Sequence, residues 1–352
     1  MSGGGARPAL RTRPAPNCYL CGAAGERLYR GRTDRMFSAP GAWDTLSCKT
    51  CGLAWLDPQP VPEEIPKLYD AYYTHPVANA GGGGDRWVRR LKRNARRAVL
   101  AASYGYRAGA PAGSAVFGRL LAAIPVVRET VGASIRWLPA AWRGRLLDVG
   151  CGGGDFLAEM QSLGWDVAGI EPDATAASAA RARLGVTVEG GTAETSAFPA
   201  GSFDVVTLNH VIEHVPDPIT TLRACGRLLR TGGTLVLVTP NIESLGRRVF
   251  DGAWMHWDPP RHLHIFSRRA LRACVQRAGL VTERLWTSAQ GVRPSWSTSR
   301  LIQKHGHATP QIRSRTPLRT TLEEVGALLV EDILNWMGGG WGEEIVLLAR
   351  HA

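Results

Sequence analysis

From Arg145 onward the chain falls into an alternation that few folds accommodate. Short apolar runs at about residues 145–149, 166–170, 186–189, 203–208, 233–239 and 280–286 are separated by stretches that are apolar at helical spacing. The helical stretches 155–164, 174–185, 218–233 and 267–280 each run into a glycine, the residue that most readily ends a helix in the left-handed conformation. Strand–helix alternation of this kind predicts an α/β, doubly wound sheet with helices on both faces. Near the C-terminus, residues 343–350 supply a last strand.

Asp148-Val149-Gly150-Cys151-Gly152-Gly153-Gly154 follows the first strand and opens a helix, the place where such a sheet binds its ligand. The spacing is Asp-x-Gly-x-Gly-x-Gly, whereas a dinucleotide fingerprint has Gly-x-Gly-x-x-Gly to carry a pyrophosphate. An acid ahead of the turn suits an ammonium group. The second strand ends at Glu171, whose carboxylate can accept two hydrogen bonds from ribose hydroxyls. Gly191-Thr192-Ala193-Glu194 then follows the third strand, Phe203-Asp204-Val205-Val206 lies on the fourth, and Leu229-Arg230-Thr231-Gly232-Gly233 precedes the fifth.

With these motifs in register, Leu146 to Gly279 resembles the class I, seven-strand S-adenosylmethionine (SAM)-dependent methyltransferases. The resemblance implies a Rossmann-like seven-stranded sheet and SAM as methyl donor. It places Asp148, Gly150, Gly152, Gly154, Glu171, Ala193, Glu194 and Asn209 around that cofactor. In the family an acid often stands where Thr192 stands here.

A sulfonium is already activated, so the enzyme has chiefly to align a nucleophile and remove its proton. The candidate bases are His210 and His214 after the fourth strand, with His262 and His264 in the Trp257–Ser267 segment completing the acceptor pocket. His210, Glu213 and His214 share a face if their segment turns helically. The segment resembles the Glu-x-x-Glu-His motif by which some quinone-pathway and small-RNA O-methyltransferases hold a divalent ion. Glu213 and His214 match it; His210 puts nitrogen where the motif has a carboxylate, which favours zinc or no metal over magnesium. His-x-x-Glu-His is also the inverted zinc-protease signature, but Pro216 and Pro218 prevent the long helix it requires. If extended, the chain puts His262 and His264 on one face.

Cys18-x-x-Cys21-Gly22 and Cys48-x-x-Cys51-Gly52 form two matching knuckles, and four thiolates suit one tetrahedral, structural zinc. A cysteine-rich knuckle ahead of such a catalytic domain resembles the arrangement in bacterial sugar methyltransferases. Cys151, Cys225 and Cys274 lack mutual ligand spacing and read as small apolar groups.

The organisation expected is a disordered tail over 1–16, the zinc-knuckle module over 17–56, and a linker with a basic and apolar helical cap over 57–143. The SAM-binding domain follows over 144–289, and 290–352 holds a variable, irregular lid region and then the last strand. A hydrophobic fraction of 44%, a charged fraction of 20% and no signal-like or spanning apolar run predict a cytoplasmic globular protein. The net charge of +12 is concentrated in Arg86–Arg97, where seven Arg and Lys residues occur without an acid. That run is compatible with a solvated helix face, with a phosphate-bearing ligand, or with peripheral contact of an amphipathic helix with an anionic membrane. The expected activity is methyl transfer to oxygen of a small-molecule or glycan/lipid-linked acceptor. An RNA methyltransferase and a non-catalytic SAM-binding scaffold are the rival readings.

Overall fold

The computed structural model describes residues 10–69, 86–109, 114–308 and 318–351. The four-glycine run 81–84, residues 1–9 of the expected tail and 309–317 of the expected lid lie outside the described residues. In contact terms the chain divides into two compact units. One gathers residues up to 72 with 209–223 and 237–349; the other gathers 73–208, 224–236 and the last three residues.

Two short strands open the first unit: β1 (Thr12–Arg13) pairs antiparallel with β5 (Gln59–Pro60). Residues 12–13 of the expected disordered tail are thus tied into a ladder. Between them, β2 (Glu26–Arg32), β3 (Trp43–Ser47) and β4 (Ala54–Asp57) form an antiparallel meander. Helices α1 (Arg86–Tyr104), α2 (Ser114–Ala122) and α3 (Pro125–Ser134) belong to the second unit.

The main sheet follows as β6 (Arg145–Val149), β7 (Asp166–Glu171), β8 (Val188–Gly190), β9 (Phe203–Asn209) and β10 (Leu229–Pro240). β11 (His264–Ile265) stands apart from it, and β12 (Leu280–Ser288) and β13 (Glu344–His351) complete seven strands in the order β12-β13-β10-β9-β6-β7-β8. β6 pairs in parallel with both β7 and β9, so the order reverses beside it and the glycine turn follows the strand at that switch point. Leu146, Leu147, Ile170, Val206 and Leu208 are all at most 1% exposed, as expected of strands covered on both faces. The intervening helices are α4 (Asp155–Ser162), α5 (Ala174–Leu184), α6 (Pro218–Leu228), α7 (Leu245–Phe250), α8 (Arg268–Arg277), α9 (Val292–His305) and α10 (Leu318–Trp336).

Two expectations are corrected. Residues 292–305, read as irregular, form α9: its buried positions are Val292, Ser295, Thr298, Ser299 and Ile302, so small hydroxyl residues hide the helical period. Residues 17–56 also do not stand as a module of their own. β11 adds to β4 with His264 opposite Trp55 and Ile265 opposite Ala54, and Ala54, Phe250, Trp254, Trp257 and Ile265 share one apolar cluster. The cysteine-bearing sheet and the 250–265 segment therefore fold as one body.

Candidate functional site

In the second unit the turn after β6 is built for close approach. Gly150, Gly152 and Gly154 have φ of +74°, +52° and +81°, the left-handed region that other residues enter at a cost. A β-carbon at Gly152 or Gly153 would meet nothing within 4 Å, so this stretch of backbone is open to a ligand. At Gly154 it would approach Leu184 and Ala180 to 3.0 and 3.1 Å, so that glycine serves helix packing. Glu171, 5% exposed, accepts hydrogen bonds from Gly152 N at 2.7 Å and Asp173 N at 2.9 Å. Burial raises its carboxyl above the usual range against those bonds. The backbone of the turn is thereby locked to the acid.

Asp148, 1% exposed, is held by Arg136, which also donates to Thr207 Oγ1 at 2.5 Å, while Thr207 donates to Asp148 at 2.8 Å. The Arg136 guanidinium lies 3.6 Å over the Phe156 ring, and Arg136 and Trp137 both have positive φ, at +50° and +55°. Arg136 escapes sequence reading because nothing ahead of β6 marks it. Its strained backbone and its burial against Asp148 reveal it. Thr192 caps the short turn Ala193–Thr195, with Ala193 buried and Glu194 exposed, and Asn209 ends β9 half-buried.

The first unit gathers the other candidates. His210 follows β9 with φ of +53°, and 211–214 form a single turn rather than a helix, closed by His214 N to Val211 O at 3.0 Å. His210 bridges two carboxylates, Nδ1 to Glu213 Oε1 at 3.1 Å and Nε2 to Glu344 Oε1 at 3.0 Å. Burial opposes its charge, but these two partners push it up to about 10. A cation donating from both nitrogens has no lone pair for an acceptor's proton, so His210 fits a charged brace better than the base expected of it. Glu213 is fully buried and accepts from Thr239 Oγ1 at 3.0 Å; burial would raise its carboxyl, yet His210 outweighs that and holds it at about 2.

Glu213, His214 and His262 offer ligand atoms that all lie within 4.8 Å of one another. His262 Nδ1 meets His256 O at 2.6 Å; since a carbonyl only accepts, that Nδ1 carries the hydrogen and the ring keeps its lone pair on Nε2. His214 Nδ1 lies between the Tyr69 hydroxyl at 2.9 Å and Arg261 O at 3.1 Å. Burial pushes both imidazoles down to about 4, so they are neutral. His256, missed by sequence reading, stacks between His210 and His262 with centroids 6.2 and 6.1 Å away. His264 does not join the group: on β11 its ring lies against Tyr19 at 5.4 Å and Phe266 at 6.3 Å.

Arg261 fixes the segment that carries His262. Fully buried, it donates to Asp34 at 2.8 and 2.9 Å and to Asp258 at 3.0 Å. Replacing it by Ala leaves two buried carboxylates uncompensated, and a loss of about 3–5 kcal/mol in urea unfolding is expected. A loss under about 1 kcal/mol, the level of an ordinary substitution, would contradict this account of the segment.

The four knuckle cysteines also converge, with Sγ–Sγ separations of 3.4 Å for Cys18–Cys51 and 3.3 Å for Cys21–Cys48 and all four sulfurs within 4.8 Å. Four thiols in one place, without a disulfide, are a donor set that fits tetrahedral zinc.

Comparison with known proteins decides the family. A family model described as a methyltransferase domain matches residues 119–285. A ubiquinone biosynthesis O-methyltransferase from Cereibacter sphaeroides is 35% identical over 192 residues, covering 49% of this chain and 74% of that protein. The chain belongs to the class I SAM-dependent methyltransferases. A protein of the same name from Thiobacillus denitrificans is 34% identical, over 43% of this chain and 72% of its own length. Among solved structures, a SAM-dependent methyltransferase from Mesorhizobium loti aligns at 18% identity with a TM-score of 0.43, over 63% of this chain and 97% of its own. A likeness of that degree bears no functional argument.

Proposed function

We propose that this methyltransferase transfers the methyl group to a hydroxyl oxygen of a small-molecule or glycan/lipid-linked acceptor. The reading is carried by the Glu213–His214–His262 group, one buried carboxylate beside two neutral imidazoles, with the Tyr69 hydroxyl on His214 Nδ1 and the His262 lone pair on Nε2. The O-methyltransferase names of the relatives support it.

The cofactor contacts follow from the chain's own groups. Glu171 accepts the ribose hydroxyls, the Gly150–Gly154 backbone lies along the methionyl part, and Ala193 and Glu194 border the adenine. Asp148, held by Arg136 and Thr207, is the acid on the ammonium side. Asn209, last in β9, is the remaining polar group assigned to the cofactor. Oxygen attacks the methyl carbon, the carbon–sulfur bond breaks to leave the thioether, and the hydroxyl proton passes to the imidazole of His214 or to Nε2 of His262. His210 and Glu344 hold the Glu213 carboxylate in place, while Thr239 orients its second oxygen.

The donor set of Glu213, His214 and His262 also fits a divalent transition metal, with His262 oriented by the His256 carbonyl and His214 by the Tyr69 hydroxyl and the Arg261 carbonyl. When bound, such an ion lowers the pKa of a hydroxyl on it. Product analysis by mass spectrometry tests the reading: an O-methyl ether supports it, and N- or C-methyl products contradict it.

At the knuckles, zinc held by Cys18, Cys21, Cys48 and Cys51 is a closed, structural site with no position for a substrate. Cys18→Ser with Cys51→Ser is expected to lower the zinc content of the purified protein by about one ion per chain and to lower its melting temperature. Unchanged zinc content in that variant would remove the assignment.

A further inference from the structure

The helices ahead of the main sheet carry a surface that methyl transfer does not use. On α1, Arg86, Arg90, Arg93 and Arg97 recur at three- and four-residue spacing, with Arg89, Lys92 and Arg96 beside them. Trp87, Leu91, Ala95, Ala98 and Ala102 form the opposite, apolar stripe at the same spacing. Only the later half of that stripe is covered. Gly118 of α2 sits so close to Ala98 and Ala102 that a β-carbon there would lie 2.3 Å from the Ala98 carbonyl oxygen, and Ala98 is 1% exposed. The earlier half is open, with Trp87 66% and Leu91 56% exposed. α2 in turn leaves Val116, Phe117 and Leu120 at 63%, 49% and 65%, and Ile124 beyond its end is 46% exposed.

We infer that the α1–α2 hairpin docks on the surface of an anionic lipid bilayer, with Trp87, Leu91, Val116, Phe117 and Leu120 entering the headgroup boundary and long arginine side chains of α1 reaching lipid phosphates from the edge of that row. Charge selects this occupant. Among the described residues α1 makes one salt bridge, Arg96 with Glu159, and the rest of its basic face answers an acidic surface. A second copy of the chain would cover the apolar row but bring no acidic partner to the arginines. A nucleic acid would meet the arginines but leave the apolar row in water. Bases on one face and Trp, Phe and Leu on the other are the composition of helices that lie in a membrane interface. Among the described residues no helix is long and apolar enough to cross a membrane, so the contact is peripheral. The inference goes beyond the reading of the acceptor, because binding is measured without turnover.

The test is co-sedimentation of the full chain with phosphatidylcholine vesicles, with and without about one quarter phosphatidylglycerol, at low and high salt. Binding at least about tenfold tighter to the anionic vesicles and weakened by salt is expected. Phe117→Ser with Leu120→Ser, and separately Arg89→Glu with Arg93→Glu, should each weaken it by about tenfold or more while SAM binding, read by calorimetry, stays unchanged. Equal binding to neutral and anionic vesicles, or no vesicle binding, would overturn the proposal. Unaltered binding of the Phe117/Leu120 variant would overturn it too, as would a preference for RNA over vesicles in competition.

Discussion

Glu171→Ala is expected to bind SAM at least about 100-fold more weakly than the parent chain, measured by isothermal titration calorimetry. The reason lies in the two tasks given to one carboxylate. In the reading proposed for the cofactor it accepts two hydrogen bonds from the ribose, each of the charge-assisted kind worth about 1.5–3 kcal/mol. It also accepts from Gly152 N and Asp173 N, so its removal frees the glycine turn and the start of α5 together. Glu171→Gln keeps an acceptor oxygen and most of the shape, and should fall between the two. An alanine variant with affinity within about threefold of the parent would mean that the ribose is held elsewhere.

Glu213→Gln is expected to lower methyl transfer by about two orders of magnitude or more while SAM affinity changes little. The glutamine is nearly isosteric, so the backbone bonds from Leu263 N and His264 N to the residue 213 carbonyl are kept. What disappears is the negative charge that His210, His214 and His262 are arranged around. Without it His210 loses one of its two anionic partners, and its elevated pKa should fall, which NMR titration of the imidazole would register. A variant that keeps full activity would place the acceptor chemistry outside this cluster. A variant that merely unfolds is told apart by its circular dichroism.

What the sequence discloses and what it hides have physical causes. Period-two and period-3.6 patterns are strong where both faces of a strand or one face of a helix are apolar, so β6, β7, β9 and the last strand are legible. The place of Glu171 at the end of β7 is legible as well, because the strand before it is a continuous apolar run. α9 is not, since hydroxyl side chains make up much of its buried face. β10 begins at Leu229, four residues before the expected 233, because a strand boundary leaves a weaker trace than its core. The role of His210 depends on Glu344, 134 residues away, and that of His262 on the carbonyl of His256. His262 and His264 look equivalent by alternation until their contacts separate them, His262 on the carbonyl of His256 and His264 against Tyr19 and Phe266. Arg136 and the joining of β11 to the cysteine-bearing sheet are likewise long-range facts that local pattern does not carry.

The most direct test of the central claim is transfer of label from methyl-labelled SAM into an extract of the source cells, separated into nucleic acid, protein, lipid and small-molecule fractions, with Glu171→Ala and Glu213→Gln as controls. The account predicts label in the small-molecule or lipid fraction, bound through oxygen and lost with either variant. Label in nucleic acid or protein, or the same label with Glu213→Gln, would contradict it.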